Sequence, residues 1–152
     1  MSDTVIDLLN AARERELLAI SQYMMHHYEL EDSGYGKLAE RMKKIAFVEM
    51  RHAEDLAERI LFLGGVPTTK MHSEPKKGLD IPEMLKADKG LEEEAIKMYN
   101  DSARACAEAG DQISKELFEE LLANEEEHFD EFDVTLDHVD KLGNVYLATL
   151  LD

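Results

Sequence analysis

The sequence predicts an all-α fold, a four-helix bundle with one long crossover connection and a short fifth helix at the C-terminal end. Three observations carry this. The composition is helix-forming: 34% of the 152 residues are charged, 7% are aromatic, there is no Trp, and runs of Val, Ile and Thr are missing. Gly and Pro cut the chain into four long segments with apolar residues at helical spacing. A set of polar residues recurs at a fixed offset in the two halves. Glu16, Tyr23, Glu49 and His52 reappear as Glu92, Tyr99, Glu125 and His128, each 76 positions on (92 − 16, and likewise for the rest).

The first helix is expected over Thr4 to Asp32, closed by Ser33-Gly34-Tyr35-Gly36. The second runs from Lys37 to Leu63 and stops at Gly64-Gly65-Val66-Pro67. Residues 68–81 are polar, contain Pro75 and Gly78, and read as a connection. The third helix spans Pro82 to Ala109 and ends at Gly110, with Asp111 as N-cap of the fourth, which reaches Leu142 before Gly143. An apolar tail, Asn144 to Leu151, follows. Helices of roughly 28 residues are about 42 Å long. Short links make the first and second antiparallel, and likewise the third and fourth. The 17 residues from Gly65 to Ile81 span up to about 56 Å when extended. That carries the chain the full length of the bundle, which is the ferritin-like topology rather than up-down-up-down. Residues 1–152 are expected to form one domain.

The inward stripe of the first helix reads Val5, Leu9, Ala12, Glu16, Ala19, Tyr23, His26 or His27, and Leu30. That of the third reads Leu85, Asp88, Glu92, Ala95, Tyr99, Ser102 and Cys106. The second gives Leu38, Met42, Ile45, Glu49, His52, Leu56, Ile60 and Leu63; the fourth gives Phe118, Leu121, Glu125, His128, Phe132, Leu136 and Val139. One Glu-x-x-His is weak evidence where Asp and Glu number 34. Four carboxylates interrupting four apolar stripes are stronger, because a lone buried carboxylate is strongly unfavourable and goes neutral. Two divalent cations balance four carboxylates with both imidazoles neutral. Residues i and i+3 lie about 60° apart on a helix, so Glu49 and His52 converge on one metal and Glu125 and His128 on the other. Glu49 and Glu125 are expected to bridge, with Glu16 and Glu92 terminal. This ligand set is the known di-iron carboxylate pattern of ferritin-like bundles. It suits iron or manganese better than copper or thiophilic metals and points to redox chemistry with dioxygen or peroxide.

Tyr23 and Tyr99 lie two turns beyond the single Glu candidates. Each is either a tyrosine that orients a ligating carboxylate or a core tyrosine whose hydroxyl finds some other partner. Asp88, one turn before Glu92, is a candidate to orient a ligating His. Met50 lies about 130° from the direction shared by Glu49 and His52, with Ala39, Ala46, Ala57 and Leu61 expected on its outward face. It reads either as packing at a subunit contact or as a thioether ligand of haem iron at a two-fold axis. His26, His27, His72 and His138 have no partner pattern, Cys106 reads as a small buried residue, and Glu93 and Glu94 as a solvated face. The net charge of −17 argues against nucleic acid and anionic membranes. A single cysteine excludes an intrachain disulfide and a Cys-rich metal module. The N-terminal residues do not read as a signal peptide and no apolar run reaches spanning length, so a cytoplasmic protein is expected.

The chain resembles the bacterioferritins. The resemblance rests on Glu16-Leu-Leu-Ala-Ile-Ser-Gln-Tyr23, on the run from Glu49-Met-Arg-His52 to Gly65-Val-Pro67, on Glu83-Met-Leu-Lys-Ala-Asp88 leading to Glu92, and on Asn124-Glu-Glu-Glu-His128. It covers nearly the whole chain. It implies iron storage and detoxification, with a ferroxidase that oxidises Fe(II) with O2 or H2O2 at two iron ions per subunit, held by Glu16, Glu49, His52, Glu92, Glu125 and His128. It implies a homo-oligomer of 24 subunits built from haem-bridged dimers, the haem shared by Met50 from each subunit, with a reductant protein serving iron release. It also implies that the tail packs around a four-fold axis. Some relatives carry a His and an Asp facing the cavity where this chain has Lys44 and Val48, which argues against an accessory inner-surface iron site here. The alternative is a di-iron oxygenase or peroxidase of the same fold; the Cys-rich module of rubrerythrin-like peroxidases is absent.

Overall fold

The computed structural model describes residues 2–152, the side chain of Ser2 excepted; Met1, part of the expected domain, lies outside the described residues. Five helices follow in order: α1 (Ser2–Asp32), α2 (Gly36–Phe62), α3 (Ile81–Glu108), α4 (Gln112–Leu142) and α5 (Asn144–Ala148). The long helices fall within two residues of the expected bounds. Gly64 and Gly110 adopt φ of +87° and +77° and turn the chain after α2 and α3, a conformation that costs L-residues with a Cβ. Asp111 caps α4 by accepting from the Ser114 backbone N–H. Asp80, not foreseen as a cap, forms a reciprocal capping box with Glu83 and sets α3 one residue earlier than Pro82.

The connection from α2 to α3 runs along α1 and is pinned to it. Asn10 pairs with the backbone of Val66 and Thr68, the Glu14 carbonyl accepts from His72 N–H, and Gln22 and Glu29 accept from the N–H groups of Lys76 and Gly78. From Asn10 to Glu29 α1 rises about 28 Å. The link therefore returns to the end of the bundle where α2 began, and α3 starts there, parallel to α2. This is the crossover that the length of the connection predicted. α1 packs on α2 and α3, and α4 on α3 and α2.

Two apolar clusters fill the interior. One gathers Ala19, Leu30, Leu38, Met42, Leu85, Phe132 and Leu136; the other gathers Val5, Leu9, Leu56, Ile60, Ala95, Phe118 and Leu121. Each fully buried Leu or Ile contributes about 1.5–3 kcal/mol. Leu150, beyond α5, is buried in the first cluster, and its carbonyl accepts from Lys37 N–H, so the tail docks on the start of α2. Val145 stays exposed. No helix among the described residues is long and apolar enough to cross a membrane.

One expectation fails locally. Ala39 and Ala46 are not on an outward face with Met50; both are buried in the bundle. α2 packs against both α1 and α4, so its inward face is wider than a single stripe.

Candidate metal centre

Each of the four long helices passes its polar residues through one level of the interior. Glu16, Glu49, Glu92 and Glu125 are all fully buried, and His52 and His128 nearly so, at 2% and 6% exposure. The six form two overlapping groups. Glu16, Glu49, His52 and Glu125 offer ligand atoms within 4.8 Å of one another, and so do Glu49, Glu92, Glu125 and His128. Glu49 and Glu125 belong to both groups, while Glu16 and Glu92 belong to one each. His52 Nδ1 stands 3.2 Å from Glu49 Oε1 and 3.6 Å from Glu125 Oε1. His128 Nδ1 stands 3.3 Å from Glu125 Oε1 and 3.6 Å from Glu49 Oε1. The two imidazoles thus converge from opposite sides on the same pair of carboxylates.

The donor set fits a pair of hard or borderline cations. Glu16 Oε2, Glu49 Oε1, His52 Nδ1, Glu92 Oε2, Glu125 Oε1 and His128 Nδ1 are all buried without a hydrogen-bond partner, one atom from each of the six residues. Burying that many unpaired polar atoms at one level is strongly unfavourable unless something binds them together. Oxygen and imidazole donors suit iron or manganese.

The tyrosines act crosswise. Tyr23 of α1 donates to Glu92 Oε1 of α3 at 2.5 Å, and Tyr99 of α3 donates to Glu16 Oε1 of α1 at 2.5 Å. Each leaves the other oxygen of its carboxylate free and fixes how the group is turned. Their rings pack against Phe132 and Phe118 of α4. Burial first, and then the neighbouring carboxylates, hold both phenols well above their ordinary pKa, so both remain donors. His52 Nε2 donates to Asn124 Oδ1 at 2.8 Å, which turns Nδ1 toward the carboxylates.

Arg15 is the residue the sequence reading missed. It is buried at 2% exposure in the middle of the cage. Nη1 pairs with Glu16 at 3.2 Å, with Glu49 at 2.6 Å and with Glu125, and Nη2 reaches Glu92 at 3.3 Å and the Leu91 carbonyl at 3.1 Å. Burial opposes its charge, but the four carboxylates outweigh it and raise its pKa.

The charges around it are uneven. Burial raises Glu49 well above the usual carboxylate range, with Glu16 and Glu92 adding and Arg15 opposing. Glu125 is raised in the same way. Burial works against ionised Glu92 too, but Arg15, His128 and Tyr23 overcome it and lower its pKa. Burial would lower His128, yet the adjoining Glu125 and Glu92 carboxylates, 3.3 and 3.7 Å from Nδ1, raise it to about 9. His52 is raised similarly, mainly by Glu16 against burial.

Asp88 does not orient His52 or His128. Its carboxylate sits 2.7 Å from His26 Nδ1 and accepts from Gln22 at 2.8 Å. α1 packs directly on α3 at that level, so the nearest partners of Asp88 come from α1. His27 pairs with the Ala39 carbonyl and Glu31, and His138 packs against Tyr146 with the rings tilted by 55°. His72 is exposed, Cys106 is buried with its thiol pushed up to about 11, and Glu93 and Glu94 face solvent. Met50, at 38% exposure, and Phe47, at 51%, lie on the outside of α2. Lys44 and Val48 line a cavity of about 330 Å³ that reaches His128, together with Arg41, Glu127 and Glu131.

A ferritin-like domain model matches residues 6–142. The bacterioferritin of Desulfovibrio desulfuricans is 42% identical over 146 residues, covering 96% of this chain and 82% of the relative. A crystal structure of bacterioferritin from that organism, described for its diiron site in different catalytic states, superposes with a TM-score of 0.97 at 41% identity, covering 99% of this chain and 88% of that one. Rhodobacter capsulatus bacterioferritin, described with a metal-free dinuclear site and haem iron in a crystallographic special position, gives a TM-score of 0.93 at 38% identity, covering 98% and 93%. With its fold, its six converging donors and these relatives in agreement, the chain belongs to the bacterioferritins, the iron-storage branch of the ferritin-like fold.

Proposed function

We propose that the cage binds two Fe(II) ions as substrate, that their oxidation to Fe(III) uses O2 or H2O2 as electron acceptor, and that the ferric product is stored as mineral inside a hollow homo-oligomeric shell. The observation that supports this most directly is the sharing of Glu49 and Glu125 between two otherwise separate donor groups. In this reading both bridge the pair, Glu16 and His52 complete one iron site, and Glu92 and His128 complete the other. Two Fe(II) supply two electrons, the number that takes peroxide to water or dioxygen to peroxide. Tyr23 and Tyr99 hold the terminal carboxylates in place during turnover, and the apolar clusters on either side keep bulk water from the donors. Metal ions compete with protons at these donors, because His128 is raised to about 9 and burial raises Glu49 and Glu125 above the usual carboxylate range. The cavity that reaches His128 sets Arg41, Lys44, Glu127 and Glu131 beside apolar Ile45 and Val48, so charged groups stand on an approach to the cage. Fe(II) oxidation measured in Glu16→Ala and His128→Ala is expected to collapse in both; parental rates in both contradict the proposal.

The same reading extends to assembly. Met50 is exposed on α2 beside Phe47, and a thioether is a soft ligand for haem iron. Haem iron in a special position in the Rhodobacter relative lies on a symmetry element, which supports a haem held by Met50 from each of two subunits. Exposed Leu142, Val145 and Leu151 give the tail an apolar surface for contact with other copies in a 24-subunit shell. Haem would pass electrons from a reductant protein to the mineral for iron release. Met50→Leu is expected to purify without the haem absorbance of the parent, and native mass measurement to give 24 chains; retained haem removes Met50 from this role.

A further inference from the structure

The internal repeat of the cage breaks at one position. The glutamates, histidines and tyrosines of the site all recur 76 residues on, but the counterpart of Arg15 is Leu91. A two-fold set of ligands has no need of a cation on one side only. Yet the guanidinium contacts all four carboxylates, and it takes the Glu49 and Glu125 oxygens that the histidines leave free. No other Lys or Arg pairs with these glutamates among the described residues. A group in that position does what metal ions do there, which is to offset buried negative charge. Arg15 Nε remains without an acceptor, so the side chain is seated by its carboxylate pairs and the Leu91 carbonyl alone.

We infer that Arg15 is a built-in counter-cation, which occupies the carboxylate cage when no metal is bound and leaves it when metal enters. This rests on the di-metal reading above. Loading is then an exchange of one guanidinium for two divalent ions, and Arg15 makes the metal-free protein more stable while making metal binding weaker. Space for the displaced side chain exists nearby. Leu91, whose carbonyl accepts from Nη2, also lines a cavity of about 280 Å³ between α1, α3 and the crossover, where Glu74 and Glu94 offer carboxylates beside Lys76 and Lys86.

The test compares the full-length parent with Arg15→Leu and Arg15→Lys, using anaerobic Co(II) titration and thermal unfolding with and without Co(II). The two readouts are expected to move in opposite directions. Arg15→Leu should bind Co(II) about tenfold or more tightly. It should unfold several degrees lower without metal, and near the parent with metal. Arg15→Lys, a compact charge that spans fewer carboxylates, should show the same signs at smaller size, and it decides the matter if Arg15→Leu does not fold. Metal-free Arg15→Leu that folds only on addition of Co(II) supports the exchange. Co(II) affinity that is unchanged or weaker in the folded variants overturns it, as does an unchanged metal-free melting temperature. A parent that takes up no Co(II) in the cage overturns the di-metal reading itself.

Discussion

The two halves of the cage are alike in the donors they offer and unlike in what surrounds those donors. Glu16, His52 and Tyr99 on one side match Glu92, His128 and Tyr23 on the other, with Glu49 and Glu125 common to both. Around them the match fails. His52 is backed by Asn124, whereas the position equivalent to Asn124 in the other half is Val48, which offers no side-chain acceptor to His128. His128 instead borders a cavity of mixed lining, with Arg41, Lys44, Glu127 and Glu131 beside Ile45 and Val48. Arg15 enters from one half only. The difference separates two demands on the sequence. Balancing two cations requires duplicated donors, since each metal needs its own carboxylate and imidazole. Seating the cage's charges and giving it a route to solvent requires no symmetry, and those residues differ between the halves.

The largest effect should come from the shared pair. Glu49→Ala or Glu125→Ala removes a donor from both sites, so metal binding should weaken at both positions and Fe(II) oxidation should fall by on the order of 100-fold or more; one position left at parental affinity would show that the carboxylate is not shared. Next, Tyr23→Phe and Tyr99→Phe should each slow oxidation by about tenfold and by similar amounts, because their crosswise bonds are equivalent. Strongly unequal losses in stopped-flow traces would break the symmetry of the inner set. The pH dependence follows from His128. Its pKa is raised in the folded metal-free protein to about 9, so the stability it contributes is complete below its ordinary value of 6.5 and is lost as pH rises through 9. Raised Glu49 and Glu125 act in the same direction. The metal-free melting temperature should therefore fall between about pH 6.5 and 9, and a flat or rising profile in calorimetry would contradict the buried charge pattern. The smallest effect should be Asn124→Val, which makes the surroundings of His52 resemble those of His128. It should weaken one of the two metal sites by less than about tenfold and leave the other alone.

Most of the cage was legible in the sequence because ligand chemistry leaves few choices. Glu-x-x-His twice, one further Glu in each half, and a common offset identify residues that cannot sit in apolar stripes for packing alone. The helix ends were legible from Gly and Pro, and the crossover from its length. Arg15 was not, because it precedes Glu16 off the heptad stripe and because arginine is rarely buried. The offset held a signal: Leu91 is an apolar counterpart, and a charged residue aligned with one is a candidate for the interior. The Asp88–His26 pair left no such trace, since the equivalent positions are Ala12 and Ser102. Ala39 and Ala46 were misplaced because a stripe drawn for one neighbour is too narrow for a helix that packs on two.

We propose above all that six side chains from four helices hold a pair of metal ions with two carboxylates in common. A crystal structure of the protein grown with ferrous or cobaltous salt without oxygen tests it most directly. Two ions about 3.5–4 Å apart, each bound by one imidazole and both touching Glu49 and Glu125, are the expected result. A cage that stays free of metal at saturating salt, or a single ion bound outside it, would contradict the account.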